Sequence, residues 1–205
     1  MLDAAFLAAC APMVAHETTA KVIMVESAGN PLAINVNRLA GPQPRARTSE
    51  DAIATAERFI QAGYSVDIGA MQVNSRNLGM LGVTVRDLFL SPCKAIAAGG
   101  VILARCYARA VQTQGEGQAA LKSALSCYNT GNMQAGFLNG YVAKYVPSIR
   151  FQPPLQAAAK AADPETVKAA QAALPAWGGL VAHTWEQAVG GQPMAMQASS
   201  WTQGR

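Results

Sequence analysis

Val25-Glu26-Ser27-Ala28-Gly29-Asn30-Pro31 ends a helical run on a single carboxylic acid and then stops it. Upstream, Val14, Ala20, Val22 and Val25 spread over one helical face, which predicts a helix over residues 13–26. Gly29 and Pro31 terminate it. Glu26 therefore stands in the last turn, where the negative end of the helix dipole disfavours a carboxylate. The apolar residues Val22 to Val25 before it predict partial burial of its stem. Both effects keep a proton on a carboxyl group at neutral pH, which is what a general acid requires. By position alone, Glu26 also fits a surface glutamate in a final helical turn.

Two later segments bear on that choice. Gly69-Ala70-Met71-Gln72-Val73-Asn74 alternates apolar and amide side chains. Read as extended chain, it puts Gln72 and Asn74 on one face, where amides suit sugar hydroxyl and acetamido groups. Ala124-Leu125-Ser126-Cys127-Tyr128-Asn129-Thr130-Gly131-Asn132 closes another helix. Tyr128 there is placed to orient the acid or touch a sugar. Asn129 is a groove residue or a helix-end cap. Tyr141 and Tyr145 share a face at i,i+4, available to the groove or to packing. Met24 and Met71 are expected in the cleft floor. A standard glycosidase needs a second carboxylate. Asp67 is nearest the suspected wall; Glu50, Asp51 and Glu57 have no motif to recommend them.

The remaining chain is organised around these segments. Residues 32–48, with Gly41, Pro42 and Pro44, read as an irregular excursion in which Arg45 and Arg47 are solvated. Ser49 is the expected cap of a helix over 50–62. A short extended piece at 64–68 and short helical pieces near 75–80 and 84–89 follow. Pro92 suits the start of a long helix over 93–113, Gly115 and Gly117 break it, and a helix at 118–129 runs to Gly131. A last helix is expected near 141–146. Residues 2–15 read as the first turn of the folded domain. Leu7-Ala8-Ala9-Cys10 superficially resembles a lipoprotein cleavage site, but its apolar lead-in is short and Met1-Leu2-Asp3 carries no positive charge.

The chain divides into a globular domain over 1–150 and a weakly structured Ala/Gln/Pro-rich tail over 151–205, flexible or partner-binding. Trp177, Trp185 and Trp201 all fall in that tail. Apolar residues make up 51% of the 205, enough for a real core in the domain. A net charge of +4 suits an anionic partner, yet basic and aromatic residues do not interleave as a nucleic-acid surface would require. Cys10, Cys93, Cys106 and Cys127 are spaced wrongly for a compact zinc site, and His16 and His183 do not complete one. Four cysteines allow three pairings. If the helices at 94–112 and 119–129 form an antiparallel hairpin, Cys106 faces Cys127, leaving Cys10 with Cys93. Four buried thiols are the alternative.

Taken in order, these segments resemble the soluble-type, lysozyme-like lytic transglycosylases, in particular the group serving type IV secretion and conjugation systems. The resemblance covers about residues 5–148. Glu26-Ser27 with Asn30-Pro31 is similar to the catalytic motif, Gly69–Asn74 to the second and Ala124–Gly131 to the third. Pro92-Cys93 through Gly99 and Leu103 is similar to the intervening helix. Cys127 to Asn132, followed by Gly136-Phe137 and Gly140-Tyr141-Val142, resembles the secretion-associated branch. One departure is Ala28, where many relatives have Gly.

The resemblance implies a mainly α fold with at most a small β element, a peptidoglycan substrate, and neither metal nor cofactor. Glu26 becomes the acid/base. Ser27, Gln72, Asn74, Tyr128, Asn129 and Tyr141 become substrate-binding or acid-positioning residues. One carboxylate then suffices, because the C6 hydroxyl of N-acetylmuramic acid closes onto C1 to give a 1,6-anhydro ring. Periplasmic action and secretion-channel partners, engaged through the tail, are implied too. A lysozyme-type muramidase using water, with Asp67 as second acid, and a non-catalytic wall-binding scaffold remain the alternatives.

Overall fold

The computed structural model describes residues 3–145. The expected tail, its three tryptophans, His183 and any boundary at 150 lie outside the described residues. The chain opens with α1 (Ala4–Cys10) and α2 (His16–Ser27), then β1 (Ile34–Val36), α3 (Ser49–Gln61), β2 (Val66–Ile68) and β3 (Val73–Asn74). A 3-10 turn at Ser75–Asn77 leads to α4 (Leu78–Leu81), α5 (Val85–Leu90), α6 (Pro92–Gln114), α7 (Gln118–Thr130) and α8 (Ala135–Leu138). A second 3-10 turn, Val142–Tyr145, ends the described chain. The fold is mainly α with one small sheet, as the sequence implied.

α6 is the axis of the molecule. Its 23 residues span about 35 Å. Ser91 caps its start by accepting from Lys94 N, and Pro92 occupies the first turn, where its missing N–H costs nothing. Nearly every turn carries buried residues, among them Ile96, Ile102, Leu103 and Ala110, so other elements cover it on most sides. Two glycines let backbone come close. A Cβ at Gly100 would lie 2.8 Å from the Ala11 Cβ, and one at Gly99 would lie 2.6 Å from the Met71 Cβ. α7 folds back along α6 after a turn in which Gly115 and Gly117 adopt φ of 69° and 126°. Cys106 is bonded to Cys127 across that hairpin, and Cys10 to Cys93, the pairing expected from the spacing.

The sheet is antiparallel in the order β1-β2-β3, with Asn35 opposite Asp67 and Asp67 opposite Asn74. β1 emerges from the segment read as an irregular excursion, where only Ile34-Asn35-Val36 is strand, while β2 falls in the extended piece expected at 64–68. Other boundaries shift for local reasons. α2 begins at His16 rather than 13 because α1 ends at Cys10 and Pro12 follows. Thr48, not Ser49, caps α3, its hydroxyl accepting from Asp51 N at 3.1 Å. α8 includes Gly136. Its lack of a Cβ is needed there, since one would stand 2.6 Å from the Ser126 Cα. The helix expected at 141–146 is a 3-10 turn.

α1 has seven residues, too few to hold helix by itself, so the Cys10–Cys93 bond and the Gly100 contact fix it to α6. That bond closes a separation of 83 residues, worth about 4.5 kcal/mol on the chain-entropy model. The double change Cys10→Ser/Cys93→Ser is expected to lower unfolding free energy by about 2–4 kcal/mol. Hydrogen exchange in residues 4–10 should accelerate further than elsewhere. Uniform acceleration across the fold would show that α1 is held by packing alone.

Candidate active site

α2 ends in two left-handed residues, Ala28 at φ 54° and Gly29 at φ 81°. The reversal leaves Glu26 half-buried beside the turn that the Gly69–Asn74 segment makes. That turn is held from three sides. Ser27 Oγ lies 2.9 Å from the Ala70 carbonyl and 3.1 Å from the Ile23 carbonyl, sharing its hydrogen between them. Tyr128 Oη donates to the Met71 carbonyl at 2.6 Å. The Met71 side chain, 1% exposed, fills the space Gly99 leaves on α6.

Facing Glu26 across the chain's last described turn is a tyrosine pair. Tyr141 Oη donates to Glu26 Oε1 at 2.5 Å. Tyr145 Oη stands 2.6 Å from Tyr141 Oη, and since Tyr141 gives its hydrogen to Glu26, Tyr145 donates its own. Burial, then the negative charge of Glu26, then Tyr145 push the Tyr141 phenol well above its ordinary pKa. Tyr141 is thus a fixed donor to the carboxylate. Lys144 Nζ sits 5.6 Å from the Tyr141 ring centre and adds a cation to the rim.

Between these walls runs a groove of about 550 Å³, lined by Glu26, Ser27, Asn35, Asp67, Gln72, Asn129, Tyr141 and Lys144, with Met24, Val25, Ala28, Ala33 and Ile34 as its apolar share. Gln72 reaches it from a left-handed backbone, φ 48°, while its Nε2 donates to the carbonyls of Gly69 (2.9 Å) and Ala33 (3.3 Å). Oε1 is then the atom Gln72 offers a ligand. Asn129 Oδ1 accepts from Asn139 Nδ2, which leaves the Asn129 Nδ2 as a donor without a partner among the described residues. The groove thus presents amide donors and acceptors around one carboxyl group.

Asp67 has a different environment. It is 1% exposed. Oδ1 accepts from Asn74 Nδ2 at 2.7 Å; Oδ2 accepts from Asn35 Nδ2 at 3.0 Å and Asn37 Nδ2 at 3.1 Å. Three of the roughly four acceptor sites of a carboxylate are filled by amides of the sheet.

A half-buried glutamate with a tyrosine donor, in a polar groove at the end of a helix, is the arrangement the lysozyme-like resemblance implied. The family model described as "Transglycosylase SLT domain" matches residues 3–145. The chain belongs to the transglycosylase SLT family. It is a lytic transglycosylase with a lysozyme-like fold. "Protein virB1" of Rhizobium radiobacter is 36% identical over 182 residues, 89% of this chain and 74% of that protein. "Type IV secretion system protein virB1" of Brucella abortus biovar 1 (strain 9-941) is 41% identical over 146 residues, 68% of this chain and 60% of that protein. "Protein virB1" of Agrobacterium fabrum is 37% identical over 156 residues, 76% of this chain and 62% of that protein. No solved structure matches the chain.

Within the SLT domain, the residues singled out in sequence divide into two groups. Glu26, Ser27, Gln72, Asn129 and Tyr141 all line the groove. Asn74 and Tyr128 do not: both are fully buried, Asn74 bonded to Asp67 and Ser65, Tyr128 to Met71. They shape the wall from behind. Gln72 and Asn74 do not share a face, because the left-handed turn at Gln72 precedes a strand of only Val73–Asn74. Met24 is 59% exposed on the rim rather than in the floor. Glu50, Asp51 and Glu57 lie on α3 and do not line the groove. Sequence reasoning passed over Asn35 and Lys144 and left Tyr145 unassigned. The alternation Ile34-Asn35-Val36-Asn37 was the signal for the first.

Tyr141→Phe keeps the ring and removes a hydrogen bond to a charged group, worth about 1.5–3 kcal/mol. Muropeptide release from purified peptidoglycan should fall roughly 10- to 150-fold. Tyr145→Phe, one bond further out, should cost about two- to ten-fold. Equal losses in the two variants would assign Tyr145 its own contact with substrate. The raised Tyr141 pKa also predicts an alkaline limit. The neutral phenol is favoured in the folded state, so its contribution is intact below the unfolded value near 10 and is lost as pH rises through the folded one. Thermal unfolding midpoints should drop above pH 10 less steeply in Tyr141→Phe than in the wild type.

Proposed function

We propose that the groove takes a peptidoglycan glycan strand with the β-1,4 bond from N-acetylmuramic acid to N-acetylglucosamine beside Glu26, and that the bond is cut without water. Glu26 protonates the bridging oxygen as the C1–O bond breaks. The resulting carboxylate takes the proton from the C6 hydroxyl of the same muramic acid, whose oxygen bonds to C1. The product is the 1,6-anhydro sugar, and Glu26 ends as it began, protonated. The attacking group belongs to the substrate, so proximity is built in. Gln72 Oε1 suits an acetamido N–H and Asn129 Nδ2 a sugar oxygen. Tyr141 holds Glu26 in line.

The observation that carries this reading is the state of the second carboxylate. A water-using muramidase needs an acid free to act as base or nucleophile. Asp67, the one other acid lining the groove among the described residues, is committed to Asn35, Asn37 and Asn74. Its ring of amides supports a structural role, tying the sheet together beneath the groove.

The relatives named for type IV secretion support a place beside such a secretion or conjugation channel, where a locally opened wall lets the channel pass. Two disulfides fit the oxidising periplasm. Channel components are the protein partners in this reading, and residues 151–205 are the segment to engage them.

Mass spectrometry of digested peptidoglycan tests the chemistry. The wild type should release anhydro-muropeptides, and Glu26→Gln should reduce them by about 10²- to 10⁴-fold. Asp67→Asn leaves three amide donors facing fewer acceptors and should cost about 1–3 kcal/mol of stability. Its folded fraction should still make anhydro ends. Hydrated reducing ends from the wild type, lost in Asp67→Asn, would establish a hydrolase instead.

A further inference from the structure

The amides at the far rim of the groove stand in a row, and one backbone group sets its polarity. Tyr141 N donates to Asn139 Oδ1 at 2.9 Å, and Asn139 Nδ2 donates to Asn129 Oδ1 at 3.0 Å. A backbone N–H can only donate, so Asn139 must turn its oxygen toward Tyr141. Its nitrogen then faces Asn129, which must answer with its own oxygen. The Nδ2 of Asn129 is what remains for the groove that Asn129 lines. The row also reaches the acid, because the Tyr141 whose N–H begins it donates its hydroxyl to Glu26 Oε1.

Asn139 is exposed and does not line the groove, so its place comes from the fold. α8 is fastened to α7 at Ser126, whose Oγ accepts from Gly136 N at 2.8 Å and donates to the Asn132 carbonyl at 2.6 Å. Asn139 closes α8, with its own N–H bonded to the Ala135 carbonyl at 3.1 Å. Gly140 follows at φ 77°, and this left-handed step brings the Tyr141 N–H back to the Asn139 side chain as an Asx turn.

We propose that Asn139 is a positioning residue for the transglycosylase reaction. Its oxygen holds the turn that carries Tyr141 to Glu26, and its nitrogen aims the Asn129 amide at the glycan. This rests on the glycan reading above. The two halves of the role separate by substitution. Asn139→Asp keeps an oxygen for the Tyr141 N–H and sets a second acceptor against Asn129. Asn129 then rotates about χ2, gives its Nδ2 to the new carboxylate and turns Oδ1 to the groove. A donor to sugar oxygens becomes an acceptor that repels them. Asn139→Ala removes both bonds, so the Tyr141 turn is untied as well.

Steady-state kinetics on soluble glycan strands, with anhydro ends counted by mass spectrometry, and hydrogen exchange of the full chain test this together. Asn139→Asp should raise KM about 2- to 12-fold, the effect of one net hydrogen bond lost from binding, with kcat close to wild type. That rise should persist in about 0.5 M salt, because reversal of an amide is not screened as an exposed charge is. Tyr141 N–H exchange should stay at its wild-type rate in this variant. Asn139→Ala should lower kcat about 2- to 12-fold and accelerate Tyr141 N–H exchange by a similar factor. Wild-type constants in both variants would overturn the proposal. So would the same kcat and KM changes in both, which is what general loosening of α8 would give, or a KM rise that salt abolishes. A wild type that releases no anhydro ends refutes the glycan reading alone. Tyr141 exchange needs no substrate, and equal rates in the wild type and Asn139→Ala would refute the hold of Asn139 on that turn.

Discussion

The peptide unit joining Ala70 to Met71 is where the domain is tied together. Residues on three helices each make one contact with this pair of residues. Ser27 on α2 reaches the Ala70 carbonyl, Tyr128 on α7 reaches the Met71 carbonyl, and Gly99 on α6 receives the Met71 side chain. A hydrogen bond contributes about 0.5–1.5 kcal/mol net, and burial of a methionine about 1.5–3 kcal/mol. The magnitudes are ordinary; their convergence matters more. Ser27 adjoins Glu26 and Asn129 adjoins Tyr128, so the residues holding the turn are chain neighbours of residues lining the groove. The acid, the amide wall and the far rim are therefore set relative to one another by one short loop. Any side chain larger than hydrogen at Gly99 would push Met71 outward and displace all three.

The same economy governs the two carboxyl groups. Asp67 sits at the centre of the sheet and is surrounded by amides offering N–H, so it organises Asn35, Asn37 and Asn74 into a rigid floor. Glu26 has a tyrosine donor on one oxygen and opens on the groove. Asp67 is spent on architecture, and Glu26 is left facing the groove. The tyrosine relay extends this division: Tyr145 satisfies the oxygen of Tyr141, which frees the Tyr141 hydrogen for Glu26 alone.

Much of this was legible in the chain. Pro92 and Ser91 announce the long helix, Gly115 and Gly117 its return, and that hairpin brings Cys106 to Cys127. Glu26 at a helix end and the ordered blocks after it pointed to the acid and to the family. What stayed hidden is instructive. A three-residue strand inside a Pro- and Arg-rich stretch leaves only the brief alternation Ile34-Asn35-Val36-Asn37, which the surrounding Pro and Arg residues mask. Amides at 72 and 74 look equivalent on paper, but one left-handed residue sends Gln72 to the groove and Asn74 beneath it. Tyr128 was read as orienting the acid or touching a sugar, but its hydroxyl bonds elsewhere. Its partner is a backbone carbonyl 57 residues away, which no local pattern encodes.

Backbone strain lies on both sides of Glu26. Ala28 and Gln72 are non-glycine residues at φ of 54° and 48°, each in a conformation that costs roughly 1–2 kcal/mol for a residue with a Cβ. Neither is an idle defect. Ala28 turns the chain so that α2 stops directly after Glu26-Ser27, and its backbone still bonds to the Met24 carbonyl. Gln72 in an extended conformation would point with Asn74 into the sheet, and the groove would lose its acceptor. Strain of this kind persists only where surrounding contacts over-determine the geometry. Here the Ala70–Met71 anchor lies between the two strained residues in space, contacted by Ser27 from one side and adjoining Gln72 on the other. The clamp that holds the loop is thus also what allows a glutamine, rather than a glycine, to occupy the turn and present its amide to a ligand.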